Sequence, residues 1–367
     1  MSRPPPDPRP AGAPKVTRRA LNRGLALLPL ALTGCATERA ASSVAAGPWH
    51  HTADGFRNPP GSPERGGDFG DWSSFFLRRF TERDEVALPA GHVLPEAEAL
   101  DGVVNRRSGD DRLTWLGHAS FLLRLDGRTI LTDPYLSEHA SPLPPLGPKR
   151  FAPPGLPPRR LPRIDLVLLS HNHYDHLDLP TVEALPGKDR VEVVVPLGLA
   201  GYFTERGYPR VHELDWYQER TLQGLGIRAL PAIHFSKRTP FDRNRTLWTG
   251  YAIQGRSKRI YFAGDTAYGP VFRELGRNLA PFDLALLPIG AYEPRVLMKG
   301  SHTTPEESLQ IARELRARRV VAMHWGTIRL TDEPPFEPPQ RFRAAAPAAG
   351  YGTDDAWLMR IGETRAI

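Results

Sequence analysis

One stretch, Ser170-His171-Asn172-His173-Tyr174-Asp175-His176, restricts what this chain can fold into more than any other. It follows Ile164-Asp165-Leu166-Val167-Leu168-Leu169, an apolar run short enough for a strand buried on both faces. On extended backbone, residues two apart point the same way, so His171, His173 and Asp175 converge on one spot. His176 follows where the chain should turn toward a helix, and it faces a neighbouring spot. Nitrogen and oxygen donors this closely spaced at a strand end describe half of a two-metal site. The pattern HxHxDH is far more specific than a lone HxH pair.

The surrounding sequence alternates strands with helices. A regular domain is expected from about residue 106 to the C-terminus, with strands at Leu113–Leu116, Ser120–Leu125 and Thr129–Thr132. Asp126-Gly127 is a hairpin signal between the last two. Nine prolines between Ser141 and Pro162 exclude a helix or central strand there. Further strands are expected at Val191–Val195, Gly226–Leu230, Thr246–Ile253, Arg259–Phe262, Leu284–Leu287 and Val320–Met323, with helices at Leu197–Arg206 and Val271–Leu279. Thr304-Pro305-Glu306-Glu307 reads as a capped helix start, and that helix should run to about Arg318. Sheets sandwiched by helices follow from this alternation.

Three more donors share one property: His234, Asp265 and His324 each stand just past the end of an expected strand. Strands of one sheet end along one edge, where the HxHxDH cluster also lies. His171, His173 and His234 would then hold one metal, and Asp175, His176 and His324 a second. Asp265 would bridge them through its two carboxylate oxygens. Ligation without sulfur suits two zinc ions per chain, although iron or manganese accepts the same donors.

The N-terminus reads differently. Arg18-Arg19 close a basic region, Gly24 to Thr33 are mostly apolar, and Leu32-Thr33-Gly34-Cys35 resembles a bacterial lipoprotein cleavage box. Residues 1–34 are therefore expected to be an export signal, with Cys35 the lipid attachment site and the protein anchored on the periplasmic side of a bacterial membrane. The alternative is a cytoplasmic protein peripheral to the membrane. Cys35 is the sole cysteine, so no intrachain disulfide forms. The formal charge of +7 resides largely in this leader, where Arg3, Arg9, Lys15, Arg18, Arg19 and Arg23 face only Asp7. No nucleic-acid partner is expected on the near-neutral remainder. Residues 35–105 read as a tether followed by a short aromatic helix, its Phe69, Trp72, Phe75, Phe76 and Phe80 facing either the main domain or a membrane.

In order along the chain, Asp133, the HxHxDH cluster, His234, Asp265 and His324 match the motifs of the metallo-β-lactamase superfamily. Within it, Trp115-Leu116-Gly117-His118-Ala119, Gly147-Pro148-Lys149-Arg150-Phe151, Leu214-Asp215-Trp216, Pro288-Ile289-Gly290-Ala291-Tyr292-Glu293-Pro294-Arg295 and His324-Trp325-Gly326-Thr327 resemble the N-acyl-phosphatidylethanolamine-hydrolysing phospholipase D group. The resemblance implies an α/β fold, an αββα sandwich of two mixed sheets with the metals at one edge. It implies substrate contacts at Tyr174 and His302, and it admits a homodimer. The leader departs from the group's animal members, which are intracellular and membrane-associated.

The function expected on these grounds is a binuclear zinc phosphodiesterase. It would convert N-acyl-phosphatidylethanolamine to phosphatidic acid and an N-acylethanolamine at a membrane surface. Asp175 and Asp265 would be the carboxylates closest to the chemistry, and Asp133 would hold a ligand imidazole by its other nitrogen. Lys237 and Arg238 could meet a phosphate, and His118 is expected to support the sheet edge rather than bind metal. Two alternatives stand beside this reading: a lactone, amide or ester hydrolase using the same centre, and a lipoprotein that binds metal without turnover.

Overall fold

The computed structural model describes Met1 and residues 47–81, 85–104 and 111–367. The expected export signal and Cys35 lie outside these residues, as does the side chain of Phe80. Among the described residues no helix is long and apolar enough to cross a membrane.

The chain enters through a small hairpin, β1 (His51–Thr52) and β2 (Gly55–Phe56), followed by helices α1 (Phe69–Thr81) and α2 (Glu96–Val104). The first sheet then forms from β3 (Arg112–Gly117), β4 (Ser120–Leu125), β5 (Arg128–Thr132), β6 (Leu166–Leu168), β7 (Glu192–Pro196) and β8 (Val211–Leu214). Helices α3 (Leu179–Ala184) and α4 (Gly201–Thr204) connect its later strands. The second sheet contains β9 (Glu219–Leu222), β10 (Leu225–Leu230), β11 (Gly250–Gln254), β12 (Arg259–Phe262), β13 (Phe282–Pro288), β14 (Ala317–Met323) and β15 (Ala356–Trp357). Its connections carry α5 (Val271–Leu279), α6 (Arg295–Met298), α7 (Pro305–Glu314) and α8 (Glu337–Ala345). The last strand, β16 (Thr364–Ala366), returns to the first sheet beside β3.

Both sheets are mixed and share one plan. In the first, β3, β4 and β5 pair antiparallel and β5 through β8 run parallel. In the second, β9 through β12 are antiparallel and β12 through β15 parallel. Parallel strands need crossovers, and those crossovers carry the covering helices.

Side-chain alternation separates the layers. Leu166 and Leu168 of β6 join the main core with Phe121, Leu123, Tyr251, Phe262 and Leu286, which belong to both sheets. Val167 and Leu169 point the other way, toward Val182 of α3 and Ala99 and Val103 of α2. This two-sided burial explains the uninterrupted apolar run in the sequence.

The β4–β5 turn falls at Asp126-Gly127, where φ values of 50° and 78° fit a two-residue hairpin of the type that asparagine or aspartate before glycine favours. At α7 the Thr304 side chain accepts from Glu307 N–H while the Glu307 carboxylate accepts from Thr304 N–H, with Pro305 in the first turn. That helix stops at Glu314, earlier than the sequence suggested, because Arg316 turns left-handed at φ 48° and Ala317 already pairs with Phe282 in the sheet. Between Leu197 and Arg206 only the single turn α4 forms, because Gly198 turns left-handed at φ 86° and the Leu197 carbonyl accepts from Leu247 N–H.

The segment expected to be a tether is packed from Gly47 onward. His50, His51 and Asn58 hydrogen-bond to Asp215 and His234, so residues 47–66 belong to the catalytic unit. The aromatic face of α1 divides: Phe75 is buried with Trp72 against Leu297 and Met298, while Phe69 and Phe76 are exposed.

Candidate metal centre

The expected donors come together at one edge of the sandwich. His171, His173, Asp175 and His176 lie on the turn that leaves β6, and His234 follows β10. Asp265 follows β12 and His324 follows β14. Each strand stops short of its donor, so the side chains project from loops into one buried space. Gly264, at φ 59°, lets the Asp265 loop approach closely; a Cβ there would collide with the side chain of Ser170. Asp133, His118 and His324 also hold positive φ angles of 31°, 55° and 60°. Such backbone persists in non-glycine residues only where surrounding contacts enforce it.

The donors form two groups about one carboxylate. In the first, the His173 Nδ1 lies 2.8 Å from His171 Nε2 and 3.1 Å from His234 Nε2. In the second, the Asp175 Oδ2 lies 3.5 Å from both His176 Nε2 and His324 Nε2. Asp265 stands between them. Its Oδ1 is 3.2 Å from His324 Nε2, and its Oδ2 is 3.2 Å from His176 Nε2, 3.8 Å from His234 Nε2 and 4.0 Å from His171 Nε2.

These groups fit metal ions. His176 Nε2, His324 Nε2 and Asp265 Oδ1 are buried polar atoms with no hydrogen-bond partner. Buried polar atoms are normally satisfied, and here the unsatisfied ones face the same space. Three imidazole nitrogens crowded around one another likewise have too few protons to pair with one another. A cation accepts all of these lone pairs together.

The tautomers are set from behind. Asp133 accepts from Ser170 N–H at 2.6 Å and from the Ser170 hydroxyl at 2.6 Å, and its Oδ2 lies 2.7 Å from His176 Nδ1. The Ser170 oxygen, in turn, is 2.8 Å from His171 Nδ1. One buried carboxylate therefore fixes two imidazoles with their Nε2 lone pairs forward, one directly and one through Ser170. The Ser301 carbonyl does the same for His234, 2.9 Å from its Nδ1. Asp133→Ala should weaken metal affinity about 10–100-fold without abolishing binding. Metal titration of this variant against wild type checks the expectation; unchanged affinity would leave Asp133 with only a role in its turn.

Burial and crowding set the charge states. Desolvation holds His171 and His234 well below the ordinary imidazole range and lowers His173 to about 4. These three are neutral, as ligands must be. Burial also opposes charge on His176 and His324, but Asp265 and Asp175 outweigh it, raising His176 well above normal and His324 to about 9. For Asp175 and Asp265, burial disfavours ionisation but the neighbouring His176 prevails, and both stay well below the usual carboxylate range. Metal uptake must therefore displace protons from the second group, so affinity should fall as pH falls.

Other expected site residues are placed as follows. His302 turns toward the centre, its buried and unpartnered Nδ1 3.9 Å from Asp265 Oδ2. Tyr174 is half-buried, and its hydroxyl donates to the Arg238 carbonyl at 3.0 Å. Arg238 is not open to a phosphate. Its guanidinium lies over the Tyr174 ring, 3.9 Å from the centroid, and donates to the carbonyls of Asn172 and Leu177. It braces the ligand-bearing turn. His118 supports the edge, as expected, through its N–H to Thr327 Oγ1 and its carbonyl to His324 N–H. It also reaches the site, with Nε2 2.8 Å from Asp175 Oδ2, a contact that sequence order did not indicate.

The contributions of Ser170, Ser301 and Asn58 were likewise missed. Ser170 had a signal, since it immediately precedes the histidines. The other two had none, because each acts on His234 from a distant segment.

The beta-lactamase superfamily domain matches residues 128–325, which contain every expected metal-binding donor. An uncharacterized protein of Mycobacterium tuberculosis is 42% identical over 263 residues, covering 68% of this chain and 70% of that one. The N-acyl-phosphatidylethanolamine-hydrolyzing phospholipase D 1 of Caenorhabditis elegans is 40% identical over 225 residues, 58% of this chain and 63% of the worm protein. Among solved structures, the metallo hydrolase Igni18 of Ignicoccus hospitalis superposes with a TM-score of 0.53 at 25% identity, covering 70% of this chain and 98% of that one. With its two mixed sheets, flanking helices and edge cluster of histidine and aspartate, the chain belongs to the beta-lactamase superfamily and is a metal-dependent hydrolase of the metallo-β-lactamase fold.

Proposed function

We propose that this protein is a phosphodiesterase of the phospholipase D type. It would hydrolyse an N-acyl-phosphatidylethanolamine, or a closely similar phospholipid, to phosphatidic acid and the N-acylethanolamine. The observation that carries the reading is the position of Asp265, with one oxygen toward His324 and the other toward His176, His171 and His234. A bridging carboxylate between two donor groups suits a pair of metal ions, with His171, His173 and His234 on one and Asp175, His176 and His324 on the other. Zinc is the ion these donors suit best. Bound there, the pair would ionise a water near neutral pH and neutralise charge developing on a phosphoryl group.

The chain's own residues do the rest. Asp133 and Ser170 keep the first-turn imidazoles oriented, and His118 keeps Asp175 from rotating away. His302 is lowered to about 4 by burial and is therefore neutral at pH 7. It can hydrogen-bond to a headgroup oxygen without adding a charge to the site. Tyr174 borders the same turn and, with Leu330, half-covers the buried Tyr135, Ala140 and Ile328; these two partly exposed side chains are the ones that would meet the substrate beyond its phosphate.

A lipid substrate is supported by the resemblance to the worm phospholipase and by the exposed apolar side chains of α1 and α6. Phe69, Phe76, Leu77 and Val296 are exposed, and the buried side of α1 rests on Leu297 and Met298. The Met298 carbonyl accepts from Ser301 N–H and His302 N–H, so α6 leads within one turn to two residues of the site. Lipid attachment at Cys35 and export remain part of the same reading, and a homodimer is compatible with it.

The test is turnover of a lipid panel by the zinc-loaded full chain, read by mass spectrometry. N-acyl-phosphatidylethanolamine should yield phosphatidic acid and N-acylethanolamine faster than phosphatidylcholine, a fatty amide or an acyl lactone is consumed. Turnover confined to the amide or the lactone would overturn the proposal and favour carbonyl hydrolysis at the same centre.

A further inference from the structure

The main chain of His234 is held at both its N–H and its C=O by a segment far outside the matched domain. It follows β10 after Pro231-Ala232-Ile233 and lies outside the ladder, so its N–H and C=O need partners elsewhere. Both go to one side chain. Asn58 Oδ1 accepts from His234 N–H at 3.0 Å, and Asn58 Nδ2 donates to the His234 carbonyl at 2.9 Å. Asn58 Oδ1 also accepts from Trp248 Nε1 at 3.0 Å. Two donors on the oxygen and a carbonyl on the nitrogen leave no ambiguity in the orientation of the amide.

Asn58 is itself held at both ends of its segment. Upstream, His50 Nε2 and His51 Nε2 lie 2.6 and 2.8 Å from the two oxygens of Asp215. The His50 ring stacks on Trp216, with centroids 4.4 Å apart. Between these points Phe56 N–H donates to the Asn244 carbonyl, and Asn244 N–H donates to the carbonyl of Ser236, two residues past His234. Downstream, the chain passes so close to α6 and its exit that a Cβ on Gly66 would strike the Val296 carbonyl, and one on Gly300 would meet the Glu64 carbonyl at 2.8 Å. Ser301, which fixes the His234 ring, comes directly after.

We propose that Asn58 is a positioning residue of the metal centre. The strap of residues 47–66, pinned by the His50–Asp215–His51 contact, would set the position of His234 from outside the superfamily domain. A ligand histidine on a free loop loses affinity through the entropy of ordering it; a two-point clamp on its peptide groups removes that freedom in advance. The inference rests on the metal-centre reading above.

Its test is metal binding rather than turnover. Wild type, Asn58→Ala and Asn58→Asp would be stripped of metal and titrated with cobalt(II), recording affinity, the visible absorption of the bound ion and the thermal midpoint of each metal-free protein. Asn58→Ala should bind the ion on the His234 side about 10–100-fold more weakly, with a changed cobalt spectrum. Asn58→Asp is nearly isosteric and keeps an oxygen for His234 N–H and Trp248 Nε1. It puts an acceptor where Nδ2 donated, so a carboxylate oxygen repels the His234 carbonyl while the other two bonds still hold the strap; the variant should show the same change. It therefore decides the question if the alanine variant does not fold. A lowered thermal midpoint with wild-type affinity and spectrum would overturn the proposal, leaving Asn58 a merely structural contact. Absence of cobalt binding by the wild type would instead defeat the metal-centre reading itself.

Discussion

Asp265→Asn is expected to leave a folded protein with at least about 1,000-fold less activity, a loss of several kcal/mol in transition-state stabilisation. The substitution preserves shape but replaces one of the two carboxylate oxygens by a donor, which cannot bind a cation. Two ions held by Asp265 would then repel each other without the charge between them. The metal-free protein should tolerate the change, because Asp265 raises His176 and His324 together with Asp175, and with Asp133 at His176. Without Asp265 both shift downward, while Asp175 and Asp133 still pair with an imidazole that stays protonated. Metal content should fall below that of wild type while the thermal midpoint of the metal-free form stays close. Retention of two ions per chain with near-normal turnover would show that Asp265 does not bridge.

His173→Ala should be as damaging, for a different reason. His173 supplies the nitrogen around which the first group is gathered, at 2.8 and 3.1 Å from its two neighbours. Removing it leaves the first group with His171, His234 and the shared Asp265 oxygen, one donor fewer than the second group keeps. The second group keeps Asp175, His176, Asp265 and His324. The expected outcome is one tightly bound ion, measured by elemental mass spectrometry, and activity down by about three orders of magnitude. A one-metal variant with full turnover would reduce the first ion to a structural role.

Much of this site was legible because its signals are local. The period-two placement of His171, His173 and Asp175, and the appearance of His234, Asp265 and His324 just past expected strands, need no knowledge of tertiary structure. The Asp126-Gly127 hairpin and the α7 cap are readable for the same reason: each is a few adjacent residues satisfying one another's backbone groups. What escaped depends on contacts between distant segments. Asn58 lies 176 residues from His234, and His50 lies 165 from Asp215. Asparagine after Gly55-Phe56-Arg57 looks like any turn residue, and the segment's small and polar residues suggested a tether. Arg238 failed in another way. A cation near an expected phosphate site invites pairing with the phosphate, but two backbone carbonyls and an aromatic ring already occupy its guanidinium. The shared plan of the two sheets left no trace in the sequence, because a buried strand needs only apolar residues of suitable size and not the same ones twice.

The proposed chemistry places attack at phosphorus, and heavy-oxygen water reports the attacked atom directly. Zinc-loaded protein would be incubated with N-acyl-phosphatidylethanolamine in water enriched in oxygen-18, and both products analysed by mass spectrometry. The prediction is one heavy oxygen in the phosphate of phosphatidic acid and none in the N-acylethanolamine. Heavy oxygen in a released fatty acid, with the phosphodiester intact, would contradict it.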